Sequence, residues 1–150
     1  MTFDFFIPGK PVGKGRPRFT RMGHTYTPDT TAMYEGLVRL YFMRTYPGAE
    51  PIKARVPVVV LITAYYPIPA STSKKQRDRM TAGLVVPTVK PDADNVAKIV
   101  LDALNGSAFC DDAQVVHLQV LKRYAEEPGV KVRITVYEEF LKNCVVTLKG

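Results

Sequence analysis

The sequence contains few cysteines and histidines, and it contains no tryptophan. Its two cysteines are Cys110 and Cys144, and its two histidines are His24 and His117. Neither pair has the close spacing of a zinc site, and two distant cysteines do not form a disulfide framework. A structural zinc site and a disulfide-rich secreted domain are therefore both excluded.

The sequence also lacks a long apolar run and a secretory leader. Its longest apolar stretch, residues 56–66, is too short to cross a bilayer and contains Pro57. The first ten residues have neither the basic start nor the long apolar run of a signal peptide. We therefore expect a soluble, cytoplasmic protein with no membrane partner.

Acidic residues are fewer than basic ones. The 150 residues include 21 Lys and Arg against 14 Asp and Glu, which gives a formal net charge of +7. An excess of this sign favours an anionic partner such as nucleic acid. With 46% hydrophobic and 23% charged residues, the chain has enough apolar material for the core of one domain.

The hydrophobic pattern predicts one small domain of the α+β, or mixed α/β, class, with a mixed sheet and about three helices. Strands are expected over residues 2–7, 56–66, 114–124 and 130–138, with a short hairpin between residues 19–20 and 25–27. Helices are expected over residues 32–45, 74–82 and 94–105. The strand at 56–66 shows little alternation, which is typical of a strand buried on both faces. Residues 145–148 fit either an edge strand or a loose tail.

The strongest chemical signal is a set of acidic residues around the third predicted helix. Asp92 and Asp94 lie at its start, and Asp111 and Asp112 precede the next strand. Because they are two apart in an extended segment, Asp92 and Asp94 project to the same side. At 100° per residue, the helix then has a polar front and an apolar back. The polar front consists of Asp94, Asn95, Lys98, Asp102 and Asn105.

These carboxylates suggest a divalent-cation site. Asp92, Asp94 and Asp112 have no obvious arginine partners, so their mutual repulsion favours a bound cation. All-oxygen ligands with room for water suit Mg²⁺, with Mn²⁺ as the alternative. The three meet in one place if the strand after Asp112 enters beside the segment that holds Asp92. Such a site can activate water for phosphodiester hydrolysis, and Lys98 can stabilise charge on the phosphate.

Each of these residues also has an ordinary structural interpretation. Asp94 can cap the helix, Asp92 can be a turn residue, and Lys98 can pair with a neighbouring acid. An Asp-x-Asp motif also occurs in aspartate-nucleophile phosphatases. There it follows a hydrophobic strand, whereas here it follows Lys90-Pro91.

The ordered combination of motifs resembles the signature of RusA-type Holliday junction resolvases, especially phage and prophage members. The matching segments are Lys-Pro-Asp-Ala-Asp-Asn from Lys90, then Lys98, Asp102-Ala-Leu-Asn-Gly and Asp111-Asp112-Ala-Gln-Val. By this resemblance Asp92, Asp94 and Asp112 are the essential acids and the metal ligands. Lys98 matches a lysine that is important for cleavage, and Asp111 matches an adjacent acid with a less defined role.

The resemblance implies a small mixed α/β nuclease that cuts four-way DNA junctions as a symmetric homodimer, with Mg²⁺ or Mn²⁺ held by aspartates. We expect an endonuclease domain over residues 1–140 and a C-terminal tail over residues 141–150. Two alternatives stay open: a nuclease with another branched or single-stranded DNA preference, and a DNA-binding module without catalysis.

Two basic segments are candidate DNA contacts. The first, over residues 9–21, holds five basic residues and no acid: Lys10, Lys14, Arg16, Arg18 and Arg21. Its glycines let the backbone approach phosphates closely, although its spacing is not that of a Walker P-loop. The second is the short predicted helix that carries Lys74, Lys75 and Arg77. It is the weaker candidate, because charged surface helices are common.

Overall fold

A computed structural model describes residues 1–15, 18–23, 25–26 and 29–149, with the backbone alone for residues 18–19, 25–26 and 145–149. These residues form a four-stranded mixed sheet, a two-stranded hairpin and four α-helices. The predicted fold class, a single small domain of mixed α and β structure, is confirmed.

The strands belong to two sheets. The main sheet contains β1 (Thr2–Pro8), β4 (Val58–Pro67), β5 (Val115–Ala125) and β6 (Gly129–Val136), and the hairpin joins β2 (Arg18–Phe19) to β3 (Thr25–Tyr26). The order in the main sheet is β1-β6-β4-β5. β6 is antiparallel to both of its neighbours, whereas β4 and β5 are parallel. Parallel neighbours need a long crossover, and this crossover carries the acidic motif.

The helices are α1 (Asp29–Thr45), α2 (Lys74–Thr81), α3 (Ala93–Leu104) and α4 (Tyr137–Lys149). α3 has the predicted apolar back, which is buried through Val96, Ala97, Ile99, Val100, Ala103 and Leu104. This back and the buried face of α1 share one hydrophobic core with β1, β4 and β6. The two helices therefore pack on one face of the sheet, and α3 presents its polar front outward.

The β4 prediction is correct for the strand and only partly correct for its burial. Val58 to Val60 are buried on both faces, but from Leu61 onward buried and half-buried residues alternate. α1 and α3 cover one face of β4 along the length of the strand. α4 covers the other face only near the start of β4, where Phe140 and Thr135 line a shared groove with Leu61. The second face is therefore open at Thr63 and beyond.

The end of the chain differs from the prediction of a strand through residue 138 followed by an edge strand or a loose tail. β6 ends at Val136, which pairs with Val58, the first residue of β4. Beyond it, the N–H of Tyr137 donates to the carbonyl of Pro57 at 2.9 Å. Tyr137 begins α4. Its first turn carries Glu138 and Glu139, which suit the positive end of a helix.

Candidate active site

Two carboxylates at the start of α3 have no hydrogen-bond or ion-pair partner in the part of the chain that the structure describes. Asp92 occupies the N-cap position with an extended backbone, but its side chain makes no capping hydrogen bond. Asp94 lies in the first helical turn. Both side chains are exposed. Among the described residues neither carboxylate takes part in an ion pair or a hydrogen bond, so both are available to a ligand.

The turn before Asp92 is fixed to the ends of two strands. The hydroxyl of Tyr66, at the end of β4, donates a hydrogen bond to the carbonyl of Pro91. The ammonium of Lys122, on β5, donates to the carbonyl of Val89 at 2.7 Å and lies 4.9 Å from the centre of the Tyr66 ring. Burial, together with the negative charge of Asp92, raises the pKa of Tyr66 to about 12. Tyr66 therefore stays protonated and keeps its donor.

The N-terminal basic loop docks on the same helix start. The backbone N–H of Lys14 donates to the carbonyl of Asn95 at 3.0 Å, and that of Gly15 donates to the hydroxyl of Thr31 at 3.0 Å. A Cβ on Gly13 would lie only 2.8 Å from Cβ of Pro91. A side chain at position 13 would therefore push the loop away from the acidic motif. No local pattern in either segment predicts this contact.

In the last turn of α3, Asp102 links two lysines. Its carboxylate lies 3.1 Å from the ammonium of Lys14 and 3.2 Å from that of Lys98. Lys14 also binds Glu35 of α1. Burial lowers the pKa of Lys14, but its hydrogen bonds to Glu35 and Asp102 and their negative charges outweigh that effect and leave the pKa raised. Lys14 is therefore committed to a salt-bridge cluster that joins the loop, α1 and α3.

Lys98 lies one turn beyond Asp94, as predicted. Its side chain is 59% exposed and is held by the i,i+4 pair with Asp102. The ordinary structural interpretation of Lys98, a surface pair, is therefore present in the structure. Such exposed pairs contribute only about 0.3–0.5 kcal/mol, so the ammonium can exchange Asp102 for another anion at little cost.

The second acidic pair has a different environment. Asp111 caps a short 3-10 helix (Asp112–Gln114). Its carboxylate accepts a hydrogen bond from the N–H of Ala113, and the side-chain carbonyl of Gln114 accepts one from the N–H of Asp111. The hydrogen bond from the Ala113 N–H, followed by bonds from Asp112, lowers the pKa of Asp111. Gln114 also donates to the carbonyls of Lys53 and Val56. Asp111 thus has a structural role.

Asp112 does not meet Asp92 and Asp94 within one chain. β5 runs parallel to β4, and Val115 pairs with Val58 at the start of β4, whereas Asp92 adjoins Tyr66 at its end. The 12 residues of α3 separate the two places, which is about 18 Å of helix. The expectation that the strand after Asp112 enters beside Asp92 is wrong. The crossover leaves from the end of β4 and, because β5 is parallel to β4, returns the chain to the level at which β4 starts.

Comparison with known proteins relates this arrangement to a family. The family model for endodeoxyribonuclease RusA matches residues 8–135. The chain belongs to the RusA endodeoxyribonuclease family. The uncharacterized protein YqaN of Bacillus subtilis (strain 168) is 42% identical over 135 residues, which cover 87% of this chain and 93% of that protein. The range of the RusA match includes both acidic pairs and the basic loop, and it ends just before α4.

Within the RusA match, the donors at the start of α3 fit a hard divalent cation. Mg²⁺ prefers carboxylate oxygens, often binds through one or two of them, and keeps several waters or substrate phosphates. Asp92 and Asp94 supply two such groups, exposed and unpaired. In the described part of this family member, no three Asp, Glu, His or Cys side chains converge on a common point. One chain therefore offers an open site with two carboxylates rather than a closed cage.

The predicted DNA contacts of this RusA-family chain fall into three groups. Lys10, Arg21, Lys74 and Lys75 are exposed and available to phosphates. Lys14 is bound to carboxylates, and Nη1 of Arg77 lies 2.8 Å from both carboxylate oxygens of Glu126. Arg16 and the side chain of Arg18 lie outside the described residues. In the described part, no helix has the length and apolar character to cross a membrane.

Proposed function

We propose that this RusA-family protein is a Mg²⁺-dependent, structure-selective endodeoxyribonuclease that resolves four-way (Holliday) DNA junctions as a homodimer. Mn²⁺ is the alternative cation. The observation that carries the proposal is the pair of unpartnered carboxylates, Asp92 and Asp94, at the start of α3, with a basic loop docked against them. Exposed carboxylates repel the phosphates that the basic loop would bind, and a cation between the carboxylates and the DNA would remove this repulsion.

Asp92 and Asp94 would hold the cation by their carboxylate oxygens. The cation supplies Lewis-acid activation of the scissile phosphodiester and of an attacking water. The protein's part is to hold the two carboxylates in place. The hydrogen bond from Tyr66 to the Pro91 carbonyl fixes the backbone directly before Asp92. The hydrogen bond from the Lys14 N–H to the Asn95 carbonyl fixes the backbone directly after Asp94.

Lys98 would stabilise negative charge on the phosphate. It lies on the exposed front of α3, one turn from Asp94, and its pair with Asp102 is solvent-exposed on the lysine side. A phosphate oxygen can therefore replace Asp102 as its partner. Lys10, Arg21, Lys74 and Lys75 would hold the DNA backbone, which positions the junction without reading its sequence.

The substrate and the position of Asp112 support the proposal of a homodimer. A junction needs two opposed cuts, and an isologous pair presents two sites related by a two-fold axis. Within one chain α3 keeps Asp112 away from Asp92 and Asp94. Asp112 therefore acts as a metal ligand in this proposal only if one subunit brings its Asp112 to Asp92 and Asp94 of the other.

A nuclease assay on four DNA substrates tests the proposal. A four-way junction, a flap, a duplex and a single strand are each incubated with Mg²⁺, with EDTA, and with the Asp92→Asn variant. We expect paired incisions in the junction alone, and none with EDTA or the variant. Preferred cutting of the flap or the single strand would show that the protein is a nuclease with a different DNA preference. Tight junction binding without any cutting would indicate a binding module.

A further inference from the structure

The two edge strands of the main sheet, β1 and β5, differ in whether other groups cover their outward backbone. On β1, the hydroxyl of Tyr46 donates to the carbonyl of Asp4 at 3.1 Å and accepts from the N–H of Asp4 at 2.7 Å. A side chain therefore satisfies both outward backbone groups of Asp4. β1 also ends in a proline. On β5, the 11 residues contain no proline, and beyond Val115, whose N–H donates to the carbonyl of Asp112, no hydrogen bond from the described residues outside the sheet reaches the strand's backbone. Long, uncovered edges of this kind are surfaces for pairing with another strand.

The uncovered edge is also apolar. On β5, Val116, Leu118 and Leu121 are 58%, 44% and 48% exposed. The segment after α2 approaches the end of this strand through Gly83, which packs on the guanidinium of Arg123. This segment adds three more exposed apolar side chains, namely Leu84, Val86 and Val89. These six are half of the twelve exposed large hydrophobic residues in the described part. Leu118 and Leu121 point to opposite faces of the sheet, so exposed apolar side chains flank the edge on both sides, as at an interface.

Charge at the two ends of β5 identifies the partner. Asp111 and Asp112 precede the strand, and Lys122 and Arg123 lie near its end. Glu126 and Glu127 follow in the turn to β6, where Glu126 is paired with Arg77. A two-fold axis at the middle of residues 116–121 makes two copies of the strand antiparallel, so Asp111 and Asp112 of each copy lie near Lys122 and Arg123 of the other. The uncharged residues between them then face each other, which is the arrangement that stabilises cross-strand pairs. The strand is self-complementary only in this antiparallel orientation.

We propose that the outer edge of β5, over residues 116–121, pairs antiparallel with β5 of a second copy, and that residues 84–89 flank this contact. The two main sheets then join into one continuous sheet across the two-fold axis. This inference deepens the proposed homodimer, on which it rests, by naming its surface. It does not depend on nuclease activity, because it is tested without DNA or metal.

The first test changes the edge without touching the core. Leu118→Lys and Leu121→Lys place a charge on each copy, and the two-fold axis brings the like charges together. We expect the mass measured by light scattering to fall from two chains for the natural sequence to one chain for each variant. The matched control is Leu40→Lys on α1, which is 48% exposed and lies away from β5 and should leave the dimer intact. Circular dichroism checks that each variant is folded.

The second test reads the orientation. In a background with Cys110→Ala and Cys144→Ala, single cysteines are placed in turn at positions 117 to 120, and one is placed at position 40 as the control. A two-fold axis brings the residues nearest to it within disulfide reach of their own copies, which needs Cα atoms within about 7 Å. We expect a disulfide-linked dimer from at least one β5 position and none from position 40.

The outcomes separate this inference from the nuclease proposal. A natural protein that is a single chain in solution, or Lys variants of β5 that remain dimeric with no cross-link in this strand, would overturn the β5 interface whatever the nuclease assay shows. A β5-linked dimer that does not cut a junction would leave the interface standing and overturn the proposed activity.

Discussion

The start and the last turn of α3 place aspartate side chains in two opposite electrostatic situations. Asp92 and Asp94, at the start, are exposed and have no partner among the described residues. Asp102, two turns further along, is 20% exposed and is shared between the ammonium groups of Lys14 and Lys98. A carboxylate that is already neutralised needs nothing more, whereas two free carboxylates beside a basic loop are suited to a cation. The difference separates acids that build the fold from acids that are kept for function.

Replacement of the free acids should give the largest effect. Asp92→Asn and Asp94→Asn each remove a proposed ligand charge, so we expect the rate of junction cleavage to fall by more than the roughly 10–100-fold that loss of an outer-shell partner costs. Stability should hardly change, because neither carboxylate has a partner to lose. Single-turnover cleavage and chemical denaturation measure the two quantities.

The matched variant is Asp102→Asn, which should show the reverse balance. It removes the charge between two lysines, so the free energy of unfolding should fall by about 1–3 kcal/mol while cleavage persists. Equal cleavage rates for Asp92→Asn and Asp102→Asn would erase the distinction between the two parts of α3.

Lys98 lies between Asp94 and Asp102 on α3. Its variants should lower the rate of junction cleavage by less than the variants of Asp92 and Asp94 do. If Lys98 serves the transition state, Lys98→Ala reduces single-turnover cleavage by roughly tenfold to a thousandfold with little change in junction affinity. Lys98→Arg should rescue only in part, because a planar guanidinium does not replace a compact ammonium. A wild-type rate for Lys98→Ala would leave Lys98 with only its surface pair.

The docked loop offers a test by stability. Gly13→Ala places a methyl group against Pro91 and Asn95, and such overpacking typically costs about 1–3 kcal/mol. Gly36→Ala is the control, because its Cβ would meet nothing within 4 Å in the middle of α1, and alanine there should stabilise by up to about 1 kcal/mol. Thermal unfolding distinguishes them. Equal melting temperatures would show that the loop is not anchored at the acidic motif.

The smallest expected effect concerns pH. Because the pKa of Lys14 is raised above its ordinary value of 10.5, its pairs with Glu35 and Asp102 contribute their full stability below that value. The contribution is lost only as the pH rises through the higher pKa of the folded state. Lys14→Met should therefore lower stability at neutral pH and flatten the alkaline fall that the natural protein shows above pH 10.5. An unchanged alkaline slope in denaturation curves would contradict this.

The sequence predicted what depends on local periodicity. The apolar residues of α3 recur at helical spacing, so its buried back and its carboxylate front could be read directly from the pattern. The range predicted for α2, residues 74–82, was correct to within one residue for the same reason, because helix ends depend on neighbouring residues such as the Ser73 cap. The start of α3 was placed one residue late, since Asp92 rather than Asp94 occupies the N-cap position.

The features that were missed depend on contacts between distant parts of the chain. Nothing local indicates that β5 is parallel to β4, and it is this direction that places Asp112 far from Asp92. The contact of Gly13 with Pro91 joins segments almost 80 residues apart, and it leaves no pattern in either segment. Tyr66 did carry a signal, because a tyrosine in a buried strand needs a partner for its hydroxyl. Its partner, the Pro91 carbonyl, could be identified only from the fold.

The central claim is that Asp92 and Asp94 hold the cation, and metal binding measured without DNA tests it most directly. Mn²⁺ serves as the probe, because electron paramagnetic resonance distinguishes free from bound Mn²⁺ during a titration of the protein. We predict that the natural protein and Asp102→Asn bind Mn²⁺ and that the Asp92→Asn, Asp94→Asn double variant, folded by circular dichroism, does not. Binding by the double variant with the affinity of the natural protein would contradict the claim and place the cation elsewhere.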